Sequence, residues 1–246
     1  EFLRLSLLPN LLQNILHNVS NEVKNPKLFE LGKIFYLDQV DTHKEITALG
    51  IIFTGTTEHD FYYLSGIVQN IIKNIFKITN FNLTQSNLQC FHPGKSAEIV
   101  ASDSVNTSYS ILGLLNPAVH QEIPLEVYFA EIYLDTLSEK SSTEKVFTPY
   151  TTFPKSKRDI CILIPENITY KEVEKEILNS KTNEFNVEPE LIDVYHSKKL
   201  PKGKKSYTIT LYFSHKTHTL TTDEINLKVQ EILNRLANLK ISLRTS

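Results

Sequence analysis

The 246-residue chain has no methionine, no tryptophan, two cysteines and seven glycines. Cys90 and Cys161 have no CxxC companion, so neither a disulfide framework nor a cysteine zinc site is suggested, and a reducing, cytoplasmic compartment fits. The start has no basic segment followed by an apolar one. No apolar run approaches the roughly 18 residues that a bilayer span requires, so no membrane partner is expected. A chain that opens on Glu1 and has no methionine reads as part of something longer. Arginine is scarce as well: Arg4 is the only one before Arg158. No two of the seven glycines stand in a Gly-x-Gly pair, so neither a phosphate-cradling loop nor an arginine clamp for polyphosphate can be assembled early in the chain.

What is present is enough apolar material for real cores, 41% of the residues, with 22% charged. The net charge of −2 is uneven. From Tyr150 onward fall 16 of the 26 Lys+Arg and 12 of the 28 Asp+Glu, giving +4 there and −6 before it. A polyanionic partner would prefer the later part.

Leu7, Leu8, Leu11, Leu12, Ile15 and Leu16 recur at helical spacing around Pro9, so a strand end is expected to enter an amphipathic helix. Two β-like runs follow, 28–37 and 46–54, paired through a tight polar connection. Asp60 is the N-cap candidate of the clearest helix, whose stripe Leu64, Ile67, Val68, Ile71, Ile72 and Ile75 should lie on a sheet. Further β runs are expected at 97–101, 109–115 and 127–134, making this half an antiparallel α+β arrangement. Thr136 to Lys145, polar and aperiodic, is the best linker candidate, with a first domain at 1–140, a linker at 141–149 and a second domain at 150–246. The second domain reads strand (157–164), helix (Tyr170, Val173, Ile177, Leu178), strands (190–196 and 206–213), helix and strand (240–243). Its second helix opens on a Thr221-x-x-Glu224 capping box. That order is β-α-β-β-α-β, the ferredoxin-like pattern.

These segments resemble the C-terminal half of the beta subunit of bacterial-type phenylalanyl-tRNA synthetase. Leu3 to Leu12 is similar to that family's LRxSLLPGLL, with Asn10 for glycine, and Phe29-Glu30-Leu31-Gly32-Lys33-Ile34-Phe35 matches its FExGxxF. Asp60 to Gly66 resembles DFxDLKG with Tyr63 and Ser65 substituted. Phe91 to Ala97 matches closely, and Gly113 to Pro117 matches GxxHP with Asn116 for histidine. Later, Phe153-Pro154 through Arg158-Asp159, Asp193-Val194-Tyr195, Gly203 to Ser206 and Thr219-Leu220-Thr221 with Glu224 resemble the ferredoxin-fold anticodon-binding domain. His218 stands where that family usually has arginine.

The resemblance implies a class II synthetase-like antiparallel sheet with helices, non-catalytic and acting as a scaffold, followed by an anticodon-binding domain. It implies tRNA and a catalytic alpha subunit as partners, in a heterotetramer of two alpha and two beta chains. The contact with alpha would be a four-helix interface using the early helices and the Leu7 to Leu16 segment. ATP and magnesium would belong to the whole enzyme, with no cofactor or metal held by this part and no catalytic residue in it. The reading from another class is a stand-alone RNA-binding or protein-interaction module without synthetase context.

The residues for RNA binding are Lys155, Lys157 and Arg158 before the second domain's first strand, and Lys198, Lys199, Lys202, Lys204 and Lys205 between its second and third strands. These eight cations, near two adjoining loops, would grip phosphates through counterion release; an arbitrary lysine run is more often a solubilising loop, and it is the resemblance to an anticodon-binding domain that favours RNA here. Ile192 and Val194 are expected in the core with Tyr207, Ile209, Leu211 and Phe213, leaving Asp193, Tyr195, Thr208, Thr210 and Tyr212 on the open face. Tyr195 or Tyr212 there could stack a base, or simply face solvent. Arg158 could also pair with Asp159 or Asp193. A zinc site from His215 and His218 with Cys161 and Asp193 would need all four to converge.

Overall fold

The computed structural model describes residues 3–37, 43–104, 107–141, 153–197 and 199–244. The chain divides into two compact units, Glu1–Val146 and Phe147–Ser246. The first contains α1 (Leu8–Ser20), β1 (Lys27–Leu37), β2 (His43–Thr54), α2 (Phe61–Asn70), β3 (Phe81–Thr84), β4 (Phe91–Ala101), β5 (Ser108–Leu115), β6 (Val127–Tyr133) and α3 (Leu134–Lys140). Its six strands form one sheet in the order β1-β2-β6-β5-β4-β3, with every neighbouring pair antiparallel.

Alternation along β2 and β6 sends successive side chains to opposite faces. Ile52 and Phe129 pack with Leu7, Leu11, Leu12 and Ile15 of the α1 segment. Phe53, Tyr128 and Ala130 pack with Leu64, Val68 and Ile72 on the other side. The central strand β6 is therefore buried on both faces. Gly50 of β2 lies directly beneath α1, where a Cβ would come within 2.6 Å of Leu11 Cδ1.

Residues 3–7 are not a strand; one backbone–backbone bond joins them to the sheet among the described residues, Phe35 N–H to Arg4 C=O at 2.9 Å, and the other links are through side chains. The start of α1 has no side-chain cap of its own. Glu131 of β6, 2% exposed, supplies the acceptor: one carboxylate oxygen takes the Leu7 N–H at 2.7 Å and the Ser6 hydroxyl at 3.0 Å. Burial pushes the Glu131 carboxyl up, and these two bonds and Arg4 act against that.

Asp60 caps α2 as expected, accepting from Tyr62 N–H at 2.9 Å and Tyr63 N–H at 3.1 Å. The helix then widens into a π turn over Ile71–Ile75. That wider turn moves the last residue of the stripe off the buried face, and Ile75 is 68% exposed where the periodicity had it covered. Thr136 to Lys140 are helix α3 rather than linker, because Leu137 is fully buried in the core beside β6. Residues 142–149 of the expected linker lie outside the described residues. The short edge strand β3 had no expectation attached to it.

The second unit contains β7 (Ser156–Pro165), α4 (Tyr170–Leu178), β8 (Phe185–Tyr195), β9 (Lys204–His215), α5 (Thr222–Ala237) and β10 (Ser242–Leu243). The antiparallel order β10-β7-β9-β8 with two helices is the ferredoxin-like fold. Ile160, Ile162, Ile164, Tyr207, Ile209, Leu211 and Phe213 form the core with Val173 and Ile177 of α4 and Ile225, Ile232 and Leu236 of α5. Both helices open on capping boxes, Thr169 with Glu172 and Thr221 with Glu224. Ile192 and Val194 are not in that core. Pairing skips from Leu191–Ile209 to Asp193–Thr208, so Ile192 is the extra residue of a bulge and Leu191 takes the packing position. Ile192 is 56% and Val194 43% exposed.

Replacing Glu131 with Ala should destabilise the first unit by about 2 kcal/mol, because the buried Leu7 N–H and the half-buried Ser6 hydroxyl lose their acceptor. Glu131→Gln, which keeps an oxygen there, should cost less. The folded-state pKa lies above the unfolded value, so folding binds a proton and this group's contribution falls as pH rises through that interval. Thermal unfolding of wild type and Glu131→Gln across the acid range checks this, since only the wild type should show that slope.

Candidate nucleic-acid interface

The helices cover one face of the second unit's sheet. The other carries Lys157, Asp159, Cys161 and Leu163 from β7, Ser206, Thr208, Thr210 and Tyr212 from β9, and Glu188, Glu190, Asp193 and Tyr195 from β8. This face has two dissimilar ends. Toward the start of β7, Thr210 donates to Asp159 at 2.6 Å and Tyr212 donates to Glu190 at 2.9 Å, a bond that pushes the Tyr212 phenol up. Lys155 is tied to Glu188 at 2.5 Å and holds that carboxyl low. Arg158 donates to the Lys157 carbonyl at 3.0 Å and has no carboxylate partner among the described residues, so neither expected ion pair forms.

The opposite end holds the lysine loop. Pro165 pairs with Lys204 while Ser156 pairs with Phe213, so the two expected cation groups lie at opposite ends of β7, about 30 Å apart. The eight cations therefore do not make one grip. Lys155 pairs with Glu188 at one end, whereas Lys199, Lys202, Lys204 and Lys205 lie toward the end of the sheet where Tyr195 pairs with Ser206; Lys198 lies outside the described residues.

The loop is shaped by local bonds. Lys199 N–H reaches Ser197 Oγ at 3.1 Å, Lys204 N–H reaches the Pro201 carbonyl at 3.1 Å, and Gly203 turns the chain at φ 75°. Lys205 Nζ donates to the Glu166 carbonyl at 3.1 Å and lies 5.3 Å from the Tyr207 ring centroid, which leaves Lys199 and Lys202 the more exposed cations. A cleft of ≈ 640 Å³ runs between Glu166, His196 to Ser197 and Leu200 to Lys204.

Sequence reasoning missed Arg244. Its N–H pairs with the Cys161 carbonyl at 2.8 Å, extending β10 along β7, and its guanidinium sits 5.1 Å from the Tyr195 ring centroid. Ring and guanidinium thus meet over a floor of small residues, where Ser206 is 2% exposed and 3.3 Å from Cys161 Sγ. Tyr195 itself is 38% exposed. A platform of this kind, an aromatic ring beside a guanidinium with lysines flanking it, suits an unpaired base and its phosphates.

The His215 and His218 rings lie 4.1 Å apart at a 47° tilt, but Cys161 lies in mid-strand opposite Thr208, so the zinc constellation does not form. No group of three or more potential ligands able to hold a metal occurs among the described residues. His218 Nε2 instead meets Glu224 Oε1 at 3.0 Å.

Comparison with known proteins decides the family. Residues 1–134 match the model described as the phenylalanyl tRNA synthetase beta chain CLM domain, and residues 151–244 match the ferredoxin-fold anticodon binding domain. The chain belongs to the phenylalanyl-tRNA synthetase beta chain family. Phenylalanine–tRNA ligase beta subunits of Carboxydothermus hydrogenoformans, Clostridium tetani and Lactococcus lactis are 33%, 30% and 28% identical to it, over 99%, 86% and 99% of this chain. The chain spans 32%, 26% and 32% of those relatives' own lengths. The described residues contain no helix long and apolar enough to cross a membrane.

The Glu224 carboxyl is held down to about 2, first by the Thr221 backbone N–H and then by His218. Its charged form thus supports folding above the ordinary carboxylate range, and that support is lost as pH falls toward 2. In an NMR titration, His218→Gln should raise the Glu224 midpoint only part of the way to the ordinary value, because the Thr221 bond remains.

Proposed function

We propose that this chain is the part of a phenylalanine–tRNA ligase beta subunit that holds the anticodon stem and loop of its tRNA and supports the catalytic alpha subunit. In this reading residues 1–140 are the non-catalytic scaffold, 141–149 the connection and 150–246 the RNA-facing module. The observation that carries it is the Tyr195–Arg244 platform beside the Lys199 to Lys205 loop, within the segment that matches the anticodon-binding family. Tyr195 stacks an unpaired base and the loop lysines take the flanking phosphates. Lys155, Lys157 and Arg158, at the acidic end, contribute little to that contact.

The first unit catalyses nothing alone in this scheme. ATP and magnesium act on the alpha subunit, the assembly is a heterotetramer of two alpha and two beta chains, and the whole works in the cytoplasm. The expected alpha contact through the apolar stripes needs revision, since Leu7, Leu11, Leu12, Ile15, Leu64, Val68 and Ile72 are buried within this unit's own cores. Phe29 and Leu31 are 77% and 62% exposed on β1, a strand at the sheet edge, and form the surface better suited to a partner subunit.

Lys202→Ala, Lys204→Ala and Lys205→Ala combined should weaken tRNA binding and flatten its salt dependence by up to about two units of slope. Tyr195→Ala should weaken binding by about 1–3 kcal/mol with the slope unchanged, since stacking releases no counterions. Filter binding at several salt concentrations measures both. Unaltered affinity in both variants would remove this end of the sheet from the interface, and an equal loss in Lys157→Ala would move it to the other end.

A further inference from the structure

β1 is the outer strand of the first unit's sheet, and its open edge is only partly used. In an antiparallel strand the N–H and C=O of one residue point the same way, and those of the next residue point the other way. The Thr54 N–H bond to the Pro26 C=O, at 3.3 Å, sets the even-numbered residues toward β2. The Phe35 N–H bond to Arg4 C=O and the Arg4 Nε bond to Lys33 C=O set the odd-numbered ones outward. Pairing with β2 is unbroken from Lys27 to Leu37, so Lys27, Phe29 and Leu31 also turn their backbone groups outward. Nothing among the described residues pairs with them there.

An edge left this way is a template for another strand, and sheets usually blunt it with a proline, a bulge or a covering loop. Arg4 covers 33 to 35, but the stretch 27–31 has none of these devices. The side chains of the same three residues share one face. Phe29 and Leu31 are exposed on it, beside an apolar groove of ≈ 310 Å³ walled by Leu49, Ile51, Phe53, Tyr63 and Ile67. Lys27 lines that groove too: its Nζ lies 5.1 Å from the Tyr63 ring centroid and donates to His59 Nε2 at 2.8 Å. Its charge faces no carboxylate partner among the described residues.

We propose that this edge takes an extended segment of a partner protein as a seventh strand, with apolar side chains opposite Phe29 and Leu31 and a carboxylate opposite Lys27. The backbone bonds give affinity, and the groove and the ammonium select the side chains. The segment runs antiparallel to β1, as neighbouring strands do throughout this sheet, so its carboxylate falls toward its C-terminal end. A second copy of this chain fits poorly. Odd-numbered residues would meet odd-numbered residues, so every antiparallel register over the open stretch sets Lys27 against Lys27, Phe29 or Leu31, and never against an acid. The inference rests on the reading of this edge as a partner surface and adds the chemistry that the partner must bring.

The test titrates the 246-residue chain into a fluorescein-labelled peptide, Thr-Val-Thr-Leu-Thr-Glu, read by anisotropy; its Val, Leu and Glu would lie opposite Leu31, Phe29 and Lys27. Saturable binding with a Kd of about 1 mM or tighter is expected. Methylating the backbone nitrogens of Val and Leu, which donate to β1, should abolish it, whereas methylating the two Thr nitrogens that follow them, which point away, should leave it within about two-fold. Replacing the peptide's Glu with Gln should weaken binding about three-fold. Lys27→Gln should weaken the Glu peptide equally and leave the Gln peptide unchanged. No saturable binding, equal binding of the two methylated peptides, or an undiminished Glu peptide with Lys27→Gln would each overturn the proposal. Self-association of the chain in sedimentation, removed by Phe29→Ser, would give the edge to a second copy and overturn it as well. Co-purification of a Phe29→Ser, Leu31→Ser chain with the alpha subunit tests the subunit reading separately: if retained, that reading falls, and the methylation contrast still decides strand addition.

Discussion

The strict alternation of β7 and β9 governs what the second unit can do. Both are central strands of a four-stranded sheet, so every second side chain is committed to the helices: Ile160, Ile162 and Ile164 from one, Tyr207, Ile209, Leu211 and Phe213 from the other. A slip of one residue would turn this whole set toward solvent, which fixes the register firmly. Recognition is thereby confined to the open face and to the loops at its ends. In the proposed RNA reading, electrostatics favours one of the two ends. Asp159, Glu188 and Glu190 would repel a phosphate at the start of β7, and Lys155 is neutralised there by Glu188. The Lys199 to Lys205 end has Glu166 and Asp193 nearby, but no ion pair ties Lys199 or Lys202 among the described residues, and it is also where the exposed ring of Tyr195 stands.

The bulge at Ile192 makes this arrangement work. By absorbing one residue, it keeps Leu191 in the core while placing Asp193 and Tyr195 together on the open face. Without it, Tyr195 would fall on the helix-covered side. Arg244 completes the platform from the far edge, reaching across Cys161 and Ser206, whose short side chains leave room for a guanidinium and a ring to meet above them.

Much of this was legible in the sequence, for physical reasons that differ from element to element. The βαββαβ order showed because each helix has a clean 3.6-residue stripe and each strand a clean two-residue alternation. Asp60 and Thr221 showed because capping is local chemistry. The open-face assignment of Tyr195 showed, but the exposure of Ile192 and Val194 did not: Ile192 is the extra residue of a bulge, which leaves no mark that alternation can detect, and Val194 pairs with Tyr207 on the helix side yet is 43% exposed near the end of β8. α3 was hidden by its composition: a single buried Leu137 anchors it, too little for a periodic signal. The separation of the two cation groups was hidden because sequence proximity to a strand says nothing about which end of the sheet a loop occupies. Arg244 was missed because its meaning depends on β10 lying beside β7, a contact between chain segments about eighty residues apart.

The first unit shows how one side chain's engagement limits chemistry. Arg4 is its only arginine, and a guanidinium that binds polyphosphate must present its donors outward in a fork. Here two of the guanidinium nitrogens are already committed. Nε gives its proton to the Lys33 carbonyl at 2.7 Å and one terminal nitrogen pairs with Glu30 at 2.5 Å. The group lies against Gly32, the only residue type whose lack of a Cβ permits that approach. The arginine therefore fastens the chain's opening segment to β1, and releasing it for a nucleotide would undo that attachment. What remains in this unit is lysine, which offers point charges without a bidentate fork. A transferring phosphoryl group needs positioned, directional donors, and this arginine commits its own to Glu30 and the Lys33 carbonyl instead.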